Sequence, residues 1–246
     1  MDRSIYVAMT GATQMMRAQT EVAHNLANAD TVGFKAQMSA FQPLQVQGAG
    51  LATRINGVAQ GTGWDLRSGA QVDTGRPLDV AVQGDGWLAV QSADGSEGYT
   101  RAGQLQLTAD GLLTDARGNP VMGDGGQLTI PQSSQINIGA DGTVSVVPMG
   151  QGPDTLSVVG KLKLVNPAPD QLQLGNDGLM HLNGGGVAQA DPAVTIKSGA
   201  LESSNVNPSQ TLVQMIQLSR QYELQVRAIR TADDNAQSAS RLLQVG

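Results

Sequence analysis

The residues able to do chemistry are few and scattered. His24 and His181 are the only imidazoles in 246 residues, and there is no cysteine. A metal centre needs paired ligands at defined spacing, and neither histidine has one. Without cysteine, thiolate ligation, a Cys nucleophile and disulfides are excluded. Either histidine could join a Ser and an Asp in a hydrolytic triad, but no nucleophile-elbow pattern accompanies them. Both read as satisfied or solvent-facing side chains. The glycine clusters Gly61-Thr62-Gly63, Gly84-Asp85-Gly86 and Gly184-Gly185-Gly186 lack the Lys-Ser or Lys-Thr that a phosphate loop carries. Asp-Gly pairs at Asp85, Asp94, Asp110, Asp124, Asp141 and Asp177 could mark a calcium β-roll, which repeats every nine residues. Only the first interval here is nine, so the pairs read as hairpin turns. These residues predict no catalytic residue, no metal and no cofactor.

The elements that would position such groups divide the chain in three. Hydrophobic residues make up 40%, aromatics 3%, and Gly contributes 31 residues. That is too apolar for disorder and too glycine-rich for a helical bundle. The formal net charge of −6 lacks the basic footprint of a nucleic-acid binder. No apolar stretch approaches the roughly 20 residues that span a bilayer. The start, Met1-Asp2-Arg3-Ser4, lacks the features of a cleavable signal.

From about Asp2 to Asn28 apolar residues recur at steps of three and four: Ile5, Ala8, Met9, Ala12, Met15, Met16, Val22, Ala23 and Leu26. This predicts a helix capped at Asp2, with Gly11 its one weak position. A second helix is expected after Asn207-Pro208-Ser209-Gln210, where Asn caps and Pro suits the first helical position. Leu212, Met215, Tyr222, Val226, Ile229, Ala236 and Leu243 then form a near-heptad stripe. Tyr222 and the methionines suit packing rather than a cofactor.

Between the helices, Val80–Val82, Trp87–Val90, Leu105–Leu107, Val144–Val146 and Leu162–Leu164 read as short strands between Asp-Gly turns. The expected fold is α+β: long terminal helices forming a coiled-coil-like pair, with a central antiparallel β domain. The boundaries are a helix over 1–29, an irregular or extended connector over 30–75, the β domain over 76–197, and a return segment and helix over 198–246. Such a helix pair has no third layer, so its apolar surface needs a partner, most simply another copy.

Five stretches resemble the flagellar rod and hook axial family, in family order. Asn25-Leu26-Ala27-Asn28-Ala29-Asp30-Thr31-Val32-Gly33-Phe34-Lys35 is similar to its N-terminal signature. Pro77–Trp87 resembles the lead into its β domain. Tyr99–Gly103 and Ala109–Leu113 resemble its next hairpins. Gly199-Ala200-Leu201-Glu202-Ser203-Ser204-Asn205-Val206-Asn207 resembles its return into the last helix. The start (Ile5-Tyr6, Ala8-Met9) and Thr231–Gln237 look most like the proximal-rod branch. The sequence departs from the pattern at Gln210-Thr211, where acidic residues are common, and at Trp87, where Phe is more usual.

The resemblance implies a structural subunit, not an enzyme. It implies self-assembly through the terminal helices into a shaft that crosses the periplasm, beside neighbouring proximal and distal rod proteins. It also implies export by the flagellar type III apparatus without signal cleavage. The residues it singles out are Asn25, Leu26, Asn28, Thr31, Gly33, Phe34, Leu201, Glu202, Ser204, Asn205, Val206 and Asn207. The helix faces add Ile5, Met9, Met15, Val22, Leu212, Met215, Tyr222, Val226 and Ile229. Competing readings are a distal-rod or hook subunit, or an exported β-rich carbohydrate-binding protein. The scarcity of aromatics for sugar stacking counts against the last.

Overall fold

The computed structural model describes residues 2–45, 55–151 and 155–244. The chain forms two compact units. One comprises 1–29, 36–65 and 206–246; the other comprises 30–35 and 66–205.

The first unit contains both long helices, α1 (Asp2–Ala27) and α2 (Pro208–Gln244). At 1.5 Å per residue they are about 39 and 55 Å long. The start of α2 follows the expected chemistry: Pro208 is its first residue, and Asn207 Oδ1 accepts the Gln210 N–H at 3.2 Å. At the end of α1 the Asn28 N–H and side-chain Nδ2 both donate to the His24 carbonyl, at 3.2 and 2.9 Å. The expected Asp2 cap and the stripe members Ala236 and Leu243 lie outside the described side chains.

The stretch expected as an irregular or extended connector is ordered differently. Gln37–Gln45 and Ile55–Trp64 pair antiparallel as a two-stranded ribbon, with a register shift between Met38 and Ser39. An isolated ribbon is marginal in water, and this one packs on α1. Gly-, Gln- and Ala-rich strands carry little alternation, which is why periodicity did not reveal it.

The second unit is antiparallel in every strand pairing among the described residues. Its largest sheet has five strands in the order Leu164–Val165, Trp87–Gln91, Glu97–Thr100, Met180–Leu182, Leu172–Leu174. A three-stranded sheet joins Ser133–Ile138, Thr143–Pro148 and Ser157–Lys161. Of the expected strand at Leu162–Leu164 only Leu164 lies in a strand, Leu164–Val165, while Leu162 forms an isolated bridge to Gly123. One apolar cluster fills the interior; Leu88, Val90, Leu105, Leu113, Val121 and Val144 are buried at its centre. Aliphatic residues thus supply the core that the low aromatic content anticipates.

The unit recruits residues from both sides of the expected β domain. Gln71–Asp73 pairs with Ala200–Glu202, and Val80–Gln83 with Thr195–Ser198. The return segment therefore begins as strand, over Ala200–Glu202.

The Asp-Gly turns use two devices. Gly95, Gly111, Gly142 and Gly178 take positive φ, while no non-glycine residue does. No Asp-Gly pair therefore takes positive φ at both residues, as the two-residue hairpin turn would require. Asp94, Asp141 and Asp177 instead accept the backbone N–H two residues on, from Ser96, Thr143 and Leu179. Their carboxylates serve the turns.

Candidate functional site

Two arrangements gather the residues singled out by sequence, one in each unit.

In the first unit α1 packs along α2. The buried apolar side chains on α1 are small, Ala8, Ala12 and Ala18, with Gln14 buried beside them. A Cβ at Gly11 would meet the Gln225 side chain at 3.2 Å. The glycine that weakens the helix by about 1 kcal/mol relative to Ala thus permits a close helix approach. Ile5, Met15 and Val22 are half-buried, as are Met215, Tyr222, Val226 and Ile229 on α2. Leu218, absent from the expected stripe, joins them, whereas Leu212 and Met9 do not. Those two are 47% and 51% exposed.

They belong to a second, uncovered set. Tyr6, Met9 and Met16 on α1 are exposed, as are Leu212, Val213, Ile216 and Leu224 on α2. Scattered exposed apolar residues are ordinary, but seven on two paired helices leave apolar surface uncovered.

Asn25 has a distinct task in this unit. Its Nδ2 donates to the Gln37 carbonyl at 2.8 Å, and its Oδ1 accepts the Gln37 N–H at 2.9 Å. A side-chain amide thus copies a backbone partner and fixes the first residue of the ribbon to the end of α1. Leu26 and Asn28 sit half-buried in the same region of chain.

In the second unit the N-terminal signature meets the return motif. Gly33 N–H donates to the Glu202 carbonyl at 2.8 Å, and Asn205 N–H to the Phe34 carbonyl at 3.3 Å. Gly33 is required twice: its φ is +68°, and a Cβ there would lie 2.3 Å from the Arg101 backbone. Glu202 is fully buried. Its Oε1 accepts from Lys35 Nζ at 2.6 Å and from Gly69 N–H at 2.9 Å; its Oε2 accepts from Arg101 Nη1 at 3.0 Å. Lys35 also donates to the Arg67 carbonyl at 2.8 Å. Arg101 Nη2 donates to the Gly84 carbonyl at 2.8 Å, and the guanidinium lies 5.4 Å from the Trp87 ring centre. A buried carboxylate with two cations and a backbone donor has its lone pairs well occupied.

Lys35 and Arg101 were not among the singled-out residues, although both stand inside quoted motifs. A charge beside Gly33-Phe34 and another after Leu201 were the available signal, since charges enter an interior in pairs. Ser204 is buried, Thr31, Leu201 and Val206 are half-buried, and Asn207 is exposed as the helix cap.

The histidines part company. His24 is exposed on α1. His181 does meet an Asp and a Ser, in an order unsuited to hydrolysis. Ser92 Oγ donates to Asp177 Oδ2 at 2.6 Å, and His181 Nε2 lies 3.0 Å from that same oxygen. The aspartate stands between the other two, whereas a triad needs histidine in the middle. Burial pushes the Asp177 carboxyl up, but the bonds from Ser92, Leu179 N–H and His181 outweigh it and hold it below the usual range. A weakened base is no activator of Ser92. No cluster of three metal-ligating side chains occurs among the described residues, and none of the described helices is long and apolar enough to cross a membrane.

Comparison with known proteins decides what this geometry belongs to. The family described as flagella basal body rod protein matches residues 5–35. The flagellar hook protein FlgE/F/G D1 domain matches 81–146, and the flagellar basal body rod FlgEFG protein C-terminal family matches 197–242. The chain is 45% identical over 251 residues, all of both chains, to the flagellar basal-body rod protein FlgF of Salmonella typhimurium. The chain belongs to the flagellar basal-body rod protein family. FlgF of Escherichia coli is equally similar, at 45% over the full length of both chains. The rod protein FlgG of Buchnera aphidicola is 32% identical, over 97% of this chain and 99% of its own. The protein is a structural rod subunit. The outer two family matches end or begin at the motifs that Glu202 ties together: Lys35 closes one and Lys197 opens the other.

Proposed function

We propose that this rod protein occupies the proximal rod and assembles helically through its terminal helices, without catalysing a reaction. The observation carrying the reading is the apolar surface left uncovered on α1 and α2. The ribbon covers part of α1 only, and the two helices reach full burial when neighbouring copies or related rod subunits pack on them, there completing a coiled-coil-like pairing. A head-to-tail contact that does not close on itself generates the helical shaft. Its partners are copies of itself and the neighbouring proximal and distal rod proteins. The type III export apparatus delivers it, uncleaved, to the part of the basal body spanning the periplasm. The 45% likeness to FlgF against 32% to a FlgG favours the proximal over the distal position.

The test deletes Leu212–Gly246 from the chromosomal copy. The expected outcome is loss of the rod and of motility, with the β unit of the purified product still folded by circular dichroism. A truncated chain that still built rods would overturn the proposal. Placement is checked by complementation: the gene is expected to restore motility to a strain lacking FlgF and not to one lacking FlgG.

A further inference from the structure

The chain passes between its two units four times, at 29/30, 35/36, 65/66 and 205/206. Within the β unit, the segments at all four passages are bound to one another. Residues 30–35 bring Gly33, Phe34 and Lys35. Residues 66–70 bring the Arg67 carbonyl, Gly69 N–H and the Ala70 carbonyl. Residues 202–205 bring Glu202, Ser203 and Asn205. The Glu202 carboxylate joins the first two segments directly, through Lys35 and Gly69. The Arg67 carbonyl receives both Lys35 Nζ at 2.8 Å and Asn205 Nδ2 at 3.1 Å. Ser203 N–H donates to the Ala70 carbonyl at 2.8 Å. A Cβ at Gly69 would lie 1.9 Å from the Ser203 carbonyl oxygen, so these two strands touch backbone to backbone. Arg101 then ties the group to the interior sheet through Glu202, the Gly84 carbonyl and the Trp87 ring.

We propose that the Lys35–Glu202–Arg101 cluster is a mechanical clasp that gathers every covalent connection to the helical unit and passes force to the β unit as a whole. Force on any one connecting strand must separate it from the others before a β-strand can peel. Charge-assisted bonds in a water-free site resist that separation better than exposed ones. Dispersed connections would let each passage unravel its own edge. The proposed use of the clasp, torque passed within a shaft, rests on the rod reading; the clasp itself does not.

The chain has no cysteine, so two can be introduced as handles at exposed positions, Gln221→Cys on α2 and Gln132→Cys on the β unit. The full-length protein is then stretched singly in an optical trap. Glu202→Gln and the milder Asn205→Ala are compared with Val144→Ala, a core change remote in sequence from the clasp. Forced unfolding follows the unfolding barrier, so a clasp acts on the first rupture. Both clasp variants are expected to lower the force of the first rupture, Glu202→Gln more. Val144→Ala is expected to lower the thermal midpoint while leaving the first rupture near the parent's force. First rupture at the parent's force in Glu202→Gln and Asn205→Ala would overturn the proposal, as would an equal drop in Val144→Ala. If Glu202→Gln does not fold, Asn205→Ala against Val144→Ala decides. A chain that fails to build rods yet shows these rupture forces would discard the rod reading and keep the clasp.

Discussion

The two units solve the problem of burial in opposite ways. In the β unit, branched aliphatic side chains from many short strands close on one another until Leu105, Leu113, Val121 and Val144 have no exposed surface. In the helical unit the buried apolar side chains are alanines, with Gln14 and Thr211 beside them, and larger ones such as Tyr6, Ile216 and Leu224 remain in water. At about 25 cal/mol per Å² of apolar surface, the first unit to complete itself is the one with branched residues inside. The second keeps its driving force in reserve for a neighbour. A subunit built this way arrives with a folded body and an unfinished handle.

The largest effect expected from this contrast is in the core. Leu105→Ala should cost about 2–5 kcal/mol in denaturant unfolding of the β unit, the usual range for a fully buried leucine. A cost below ~1 kcal/mol would mean that the unit is not closed as described. The handle should respond in the reverse sense. Ile216→Glu lies on an exposed position and should change the stability of the free chain by no more than about 0.5 kcal/mol. Motility in a complementation assay should nevertheless be lost. Retained motility would remove Ile216 from the interface.

The smallest effect concerns acid. The Asp177 carboxyl is held below its usual range, so its bonds stabilise the fold above the unfolded value of about 3.9. That contribution disappears as pH falls through the lower, folded-state value. Asp177→Asn should therefore lower the thermal midpoint at pH 7 and converge with the parent as pH falls below the folded-state value. A gap that persists unchanged at low pH would assign the loss to packing.

The sequence made the helices legible because their signals are local. Asn207-Pro208 set one start, Asn28 one end, and steps of three and four marked the faces between. The strands at Val80, Trp87, Leu105 and Val144 were legible for the same reason. The ribbon over residues 37–64 was not, since its strands lack alternation and take their support from α1. Nor was the full stripe on α2. Leu218 and Gln225 face inward and Leu212 outward because packing against α1, not heptad counting, sets the rotation of the helix. The motif residues were found by resemblance, but their work was hidden. Glu202 meets Lys35 across 167 residues of chain, a distance no periodicity spans. The pairing becomes visible only when the fold brings both ends of the β unit together.

Gly11 lying against Gln225 has a consequence in time. A chain delivered N-terminus first releases α1 long before the residues it packs on exist outside. The β unit is complete once Asn205 has emerged, while α1 still waits for α2. Contacts this distant in sequence form late. Until α2 follows, α1 has only the ribbon to pack on, tethered to a body that closes before the helix pair does.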